Sequence, residues 1–134
     1  MHAMYLLDTN TLIYFFKQQG QVAAHLKNIA ASQIAIPSVV LFELEYGVLR
    51  STRPELQRKG MEAALKVYRV LNLDDKAAKS AAQIKHSLEA AGTPIGHFDL
   101  LIAGTALAHD MTLVTRNTRE FTRIPSLRVE NWYD

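Results

Sequence analysis

Three acidic residues stand where acids are costly. Asp8 follows the apolar run 4–7, Glu43 sits among Val39, Val40, Leu41, Phe42 and Leu44, and Asp99 lies between Phe98 and Leu100. A carboxylate in such surroundings needs a partner. No lysine or arginine lies within one helical turn of Glu43, and Arg50 is the nearest along the chain. Clustered carboxylates without local cations point to a bound divalent metal. All-oxygen donors favour Mg²⁺ or Mn²⁺ over zinc. Each acid has a plainer use when taken singly. Asp8 can cap a helix, Asp99 can favour a helix dipole, and Glu43 can belong to a half-exposed polar face that continues at Glu45. Three acids at equivalent places in the chain pattern favour the metal.

Those places follow from the elements. Short apolar runs alternate with longer helical patterns, which predicts an α/β fold with a mainly parallel sheet of about five strands. Strands are expected at 4–7, 34–36, 70–73 and 112–114, with an edge strand at 127–130. Asp8-Thr9-Asn10 starts a helix carrying Leu12, Ile13, Phe15 and Phe16. Val22, Leu26, Ile29 and Ala30 repeat at helical spacing. Ser38 is expected to cap a helix reaching about residue 50, and Pro54 opens the next, with Met61, Ala64, Leu65 and Tyr68 on one face. Asp74 caps a long helix with Ala77, Ala81, Ile84, Leu88 and Ala91 inward, which stops at Gly92. A loop over 93–98 leads to Asp99, which opens the most apolar helix, 100–108. In an open parallel sheet the strand ends and helix starts share one edge, where ligands bind. Asp8, Glu43 and Asp99 can therefore converge there.

The segment after the fourth strand, Thr115-Arg116-Asn117-Thr118-Arg119-Glu120, lies at the same edge. Asn117 and Glu120 have the spacing of a capping box, and Glu120 is assigned to that role. Asn117 can also offer a carbonyl oxygen or orient a water. Arg116 can bind a phosphate, and Thr115 and Asn10 are further candidates for substrate contact. Arg116, Arg119, Arg123 and Arg128 form one basic group, with Arg119 and Arg123 on a shared helix face, and Arg50, Arg53, Arg58 and Lys59 form another. His97 is a poor general base beside a metal. Trp132 and Tyr133 are expected to pack the last strand.

These residues carry a resemblance. Leu7-Asp8-Thr9-Asn10, Phe42-Glu43-Leu44 with Gly47, and Pro94-Ile95-Gly96 leading to Asp99-Leu100-Leu101-Ile102-Ala103 occur in order. They are followed by Leu113-Val114-Thr115-Arg116-Asn117, Glu120-Phe121 and Leu127-Arg128-Val129-Glu130-Asn131-Trp132. The set resembles the PIN-domain ribonucleases of the VapC toxin type over nearly the whole chain. The resemblance implies a PIN-like three-layer α/β/α domain spanning 1–134. It implies Asp8, Glu43 and Asp99 as an acidic triad for Mg²⁺ or Mn²⁺, with Asn117 where many members have a fourth acid. That substitution favours one metal, or a second held mostly by substrate phosphate. It implies hydrolysis of structured RNA, by preference transfer RNA, through a metal-activated water that leaves a 5′-phosphate. A cognate VapB-type antitoxin would block the site. The toxin would be a homodimer assembling into a larger toxin–antitoxin complex that meets operator DNA only through the antitoxin.

Composition sets the limits. The 134 residues suffice for one domain with a real core. The absence of cysteine excludes a disulfide scaffold, a zinc ribbon and a thiol nucleophile, and fits a cytoplasmic protein. No apolar run is long enough to span a bilayer, and the start, where either Met1 or Met4 can initiate, lacks a signal-peptide pattern. The net charge is +2; with three acids engaged by a cation, ten remain against fifteen basic residues. A haloacid-dehalogenase-like phosphatase needs a second acid where this chain has Asn10. A receiver-like signalling domain needs an acidic pair near Asp8 and a lysine after the last strand, and neither is present. The alternative that stands is a catalytically weak module of the same fold that binds RNA or a partner.

Overall fold

A computed structural model describes residues 4–134. The start at Met1 lies outside the described residues. Five strands form one sheet: β1 (Tyr5–Leu7), β2 (Ile34–Pro37), β3 (Arg69–Leu71), β4 (Thr112–Val114) and β5 (Val129–Glu130). Their order is β3-β2-β1-β4-β5, and every pairing is parallel. Parallel neighbours need long crossovers, which helices supply. These are α1 (Thr9–Phe16), α2 (Val22–Lys27), α3 (Ser38–Arg50), α4 (Pro54–Leu65), α5 (Asp75–Ala90), α6 (His97–Ala108) and α7 (Thr118–Phe121).

Successive strand residues point to opposite faces of a sheet. Leu6 and Leu7 in β1, Ile34 to Ile36 in β2, and Leu113 and Val114 in β4 are all buried. Both faces of the central strands are therefore covered, which is the three-layer α/β/α arrangement. The sheet is parallel throughout, more uniform than expected.

Several boundaries differ from expectation for local reasons. Helix α2 ends at Lys27, so Ile29 and Ala30 lie past it, ahead of a 3₁₀ turn at Ala31–Gln33. Ser38 is the first helical residue, not the cap. Its hydroxyl accepts from the Leu73 amide at 3.1 Å and ties α3 to the end of β3. Helix α4 stops before Tyr68, and β3 before Asn72. Ala91 is exposed, beyond the end of α5. Helix α6 begins at His97, because Gly96 takes the extended backbone that precedes a helix, so Asp99 falls in the first turn. Arg123 lies beyond the four-residue α7 and shares no helix face with Arg119.

Helices α5 and α6 pack closely over Gly104. A Cβ there would meet the Ala77 carbonyl, the Ala81 amide and the Ala81 Cβ at 2.7 Å. Two of these atoms are backbone and cannot yield without moving α5. We expect Gly104→Ala to overpack by about 3 kcal/mol, against about 1 kcal/mol gained in helix propensity. The net loss of about 2 kcal/mol should lower Tm by roughly 4–8 °C in a thermal melt. A Tm at or above that of the parent would show that the two helices part freely.

Candidate active site

Asp8 is the N-cap of α1, and its Oδ1 accepts from the Thr11 amide at 2.9 Å. The Thr115 hydroxyl bonds the same carboxylate. The Asp8 amide and the Thr11 hydroxyl both donate to the Val114 carbonyl, at 3.2 and 3.1 Å. Strand β4 thus fixes both the cap and its helix. Asp8 is 7% exposed, and this burial raises its pKa against the opposing hydrogen bonds.

Glu43 sits on α3 and comes from the neighbouring crossover. The Thr9 hydroxyl donates to its Oε1 at 2.6 Å. Two residues 34 apart in sequence therefore join the first turn of α1 to α3 across the β1–β2 edge. Asp99 enters from α6. Burial is the main cause that raises its pKa to about 6, followed by the charges of Glu120, Asp8 and Glu43. That coupling puts Asp99 within electrostatic reach of the other three carboxylates at the C-terminal edge of the sheet. No ion pair among the described residues involves any of the four.

Glu120 is the acid that the chain pattern concealed. Asn117 does occupy the N-cap position of α7, but its side chain makes no capping bond. Its amide Nδ2 donates to Glu120 Oε2 instead, and the Asn117 backbone amide donates to Thr115 Oγ1 at 3.1 Å. The capping box is replaced by a side-chain pair, and Glu120 lies within electrostatic reach of Asp99. Asn117 itself is exposed. Thr115 is fully buried, its hydroxyl engaged by Asp8 and Asn117, so it supports the site from behind and does not reach a substrate. Asn10 is exposed on the first turn of α1.

The basic residues divide. Arg58 pairs with Glu45, Arg128 with Asp110, and Arg50 lies over the Tyr46 ring. Arg116 is exposed and rests on the rings of Tyr14 and Tyr133. Tyr133 thus packs under Arg116, not along the last strand; Trp132 fills that role, buried and stacked on His25 at 5.2 Å. His97 is exposed at the start of α6.

The donor chemistry suits a hard divalent cation. The carboxylates accept hydrogen bonds only, no lysine or arginine neutralises them, and Asp99 has no donor against it. The cage is not closed. Among the described residues no three His, Asp or Glu side chains stand close enough to encircle an ion. Glu43 is turned toward Thr9.

Comparison with known proteins agrees with this architecture. The family model for the PIN domain matches residues 5–127. The tRNA(fMet)-specific endonuclease VapC of Salmonella typhimurium is 38% identical over 128 residues, covering 96% of this chain and 97% of that protein. Ribonuclease VapC2 of Rickettsia felis is 38% identical over 131 residues, covering 96% and 98%. The crystal structure of Rickettsia felis VapBC2 bound to a DNA fragment from its promoter superposes with a TM-score of 0.91 at 37% identity, covering 96% of this chain and 98% of that one. The chain belongs to the PIN-domain family, and within it to the VapC group.

Proposed function

We propose that this protein is a Mg²⁺- or Mn²⁺-dependent endoribonuclease acting as the toxin of a toxin–antitoxin pair. The observation that carries this reading is the uncompensated set Asp8, Glu43 and Asp99 at the C-terminal edge of the sheet. A divalent cation held there would activate a water and offset charge building on a phosphate. Asp8 is presented rigidly, because Thr11 and Thr115 fix its carboxylate. Thr9 orients Glu43, and α6 carries Asp99 within electrostatic reach of both other acids. Arg116 and Asn10 are both exposed and would meet the RNA backbone in this reading. Nothing in this arrangement needs the 2′-hydroxyl as nucleophile, so RNA preference rests on shape.

Transfer RNA is the substrate we favour, on the name of the Salmonella relative. An antitoxin partner is the reading that the Rickettsia complex supports, and we expect operator DNA to be met only through it. An apolar cleft of about 780 Å³ runs between α1, α3 and α4, lined by Ile13, Phe16, Leu44, Val48 and Met61 with Glu43 on its wall. An amphipathic antitoxin helix fits such a cleft and would reach the acids from it. Phe42, Tyr46 and Leu49 form an exposed apolar row on α3, 59%, 55% and 64% exposed, suited to a homodimer. A cytoplasmic location and a single domain complete the reading.

The test is cleavage of total bacterial RNA by antitoxin-free protein, with Mg²⁺, with Mn²⁺ and with EDTA. Discrete fragments that require the ion, and enrich in transfer RNA, are expected. RNA left intact by metal-loaded protein would favour the weak binding module instead, a reading to which the open spacing of the acids lends some support.

A further inference from the structure

Arg116 is an arginine held still with its charge unspent. Its guanidinium carbon lies 3.6 Å from the centre of the Tyr133 ring and 5.6 Å from that of Tyr14. The two rings meet edge to face at 4.7 Å and 67°. The Tyr14 hydroxyl accepts a hydrogen bond from Arg116. Arg116 forms no ion pair among the described residues, and the nearby Asp134 acts on it only at longer range. A guanidinium has five N–H donors in its plane. Stacking occupies its face, one donor goes to Tyr14, and its forked edge stays available.

The rings are themselves locked. The Gln21 amide donates to the Tyr133 carbonyl at 2.8 Å, and the Tyr133 amide donates to Asn131 Oδ1 at 2.8 Å. Gly20 has φ +65°, and any Cβ there would lie 2.6 Å from the Tyr133 ring. The chain tail is thereby pressed into the turn after α1. Next to Arg116 stands Thr115, which bonds Asp8. A chain of contacts thus joins the tail to the acidic site.

We propose that Tyr14 and Tyr133 form an aromatic clamp that positions Arg116 to bind an RNA phosphate at the rim of the site, one residue from the Thr115 that bonds Asp8. Arg116 is the phosphate-binding residue, and the tyrosines are positioning residues that act through it. The acids repel the polyanion at the point where it must approach, and a fixed cation at the rim offsets that repulsion. Immobilising the long side chain beforehand lowers the entropy lost when the phosphate is bound. The inference rests on the ribonuclease reading.

The experiment uses full-length protein carrying Asp99→Asn, so that RNA is bound and not cut. Binding of a fluorescein-labelled hairpin RNA is followed by anisotropy over a salt series. Arg116→Leu should weaken binding about three- to tenfold and reduce the slope of log Kd against log salt by about 1. Tyr133→Leu should cause a similar loss, Tyr133→Phe little, and Tyr14→Phe an intermediate loss. In the Arg116→Leu background, Tyr133→Leu should add nothing. In the active enzyme the same changes should raise KM more than they lower kcat. Additive losses would overturn the clamp, since Tyr133 would then touch RNA itself. So would RNA binding indifferent to Arg116→Leu. Should the Asp99→Asn protein bind no RNA at any salt, the ribonuclease reading falls and the clamp with it.

Discussion

Asp99→Asn is expected to lower RNA cleavage at least about a thousandfold at neutral pH while making the metal-free protein more stable. The two effects have one cause. The carboxylate is half-buried, has no donor against it, and faces Glu120, Asp8 and Glu43, so its pKa rises from 3.8 to about 6. The folded chain therefore holds this proton more tightly than the unfolded chain does. The stability contributed by the group is complete below pH 4 and is lost as pH rises through 6. The full shift corresponds to about 3 kcal/mol, which solvent screening at a half-buried group reduces to roughly 1 kcal/mol. Asn keeps the shape and removes the charge. Tm should rise by roughly 3 °C at pH 7.5 without metal, and the gap should fall by about half at pH 5 and close only below about pH 4. Added Mn²⁺ should raise the parent Tm and leave that of Asp99→Asn almost unmoved, since a ligand stabilises only the form it binds. Differential scanning fluorimetry at both pH values, with and without Mn²⁺, reads all of this. A variant that cuts RNA like the parent would remove Asp99 from the site. A variant less stable at both pH values would show that its role is structural.

The three acids stand out in the sequence because each breaks a local rule at a place the topology makes special. Asp8 ends an apolar strand, Glu43 interrupts an apolar helix, and Asp99 opens another. Alternating strands and helices were enough to predict a parallel sheet, and a parallel sheet collects strand ends on one edge. The order β3-β2-β1-β4-β5 then sets β1 at the centre, with the ends of β2 and β4 on either side. What was not legible depends on contacts between distant segments. The Thr9–Glu43 bond spans 34 residues, and the Ser38 hydroxyl is drawn from its cap by an amide 35 residues away. Tyr133 reads as filler for a terminal strand until the turn at Gly20 brings it under Arg116. Glu120 was concealed by a motif that seemed complete. Its link to Asp99 depends on how α7 sits against α6, which no local spacing carries.

Glu120→Gln should reduce cleavage about 10- to 100-fold, more than Asn117→Ala does. Glu120 heads the charges that raise the Asp99 pKa. Removing its charge should stabilise ionised Asp99, and the acid limb of the pH–rate profile should move to lower pH. A glutamate that merely capped α7 would leave that limb in place, so the profile separates the two roles. The same geometry decides what Asn117→Asp would do. Asn117 Nδ2 is the donor that holds Glu120. An aspartate has no donor at neutral pH and would set a second negative charge against Glu120. The change should therefore weaken the site, even though it adds an acid. Tighter Mn²⁺ binding by Asn117→Asp, together with an unshifted acid limb in Glu120→Gln, would return the fourth ligand position to residue 117. The opposite pair of results would assign it to Glu120, with the Asn117 amide as its support.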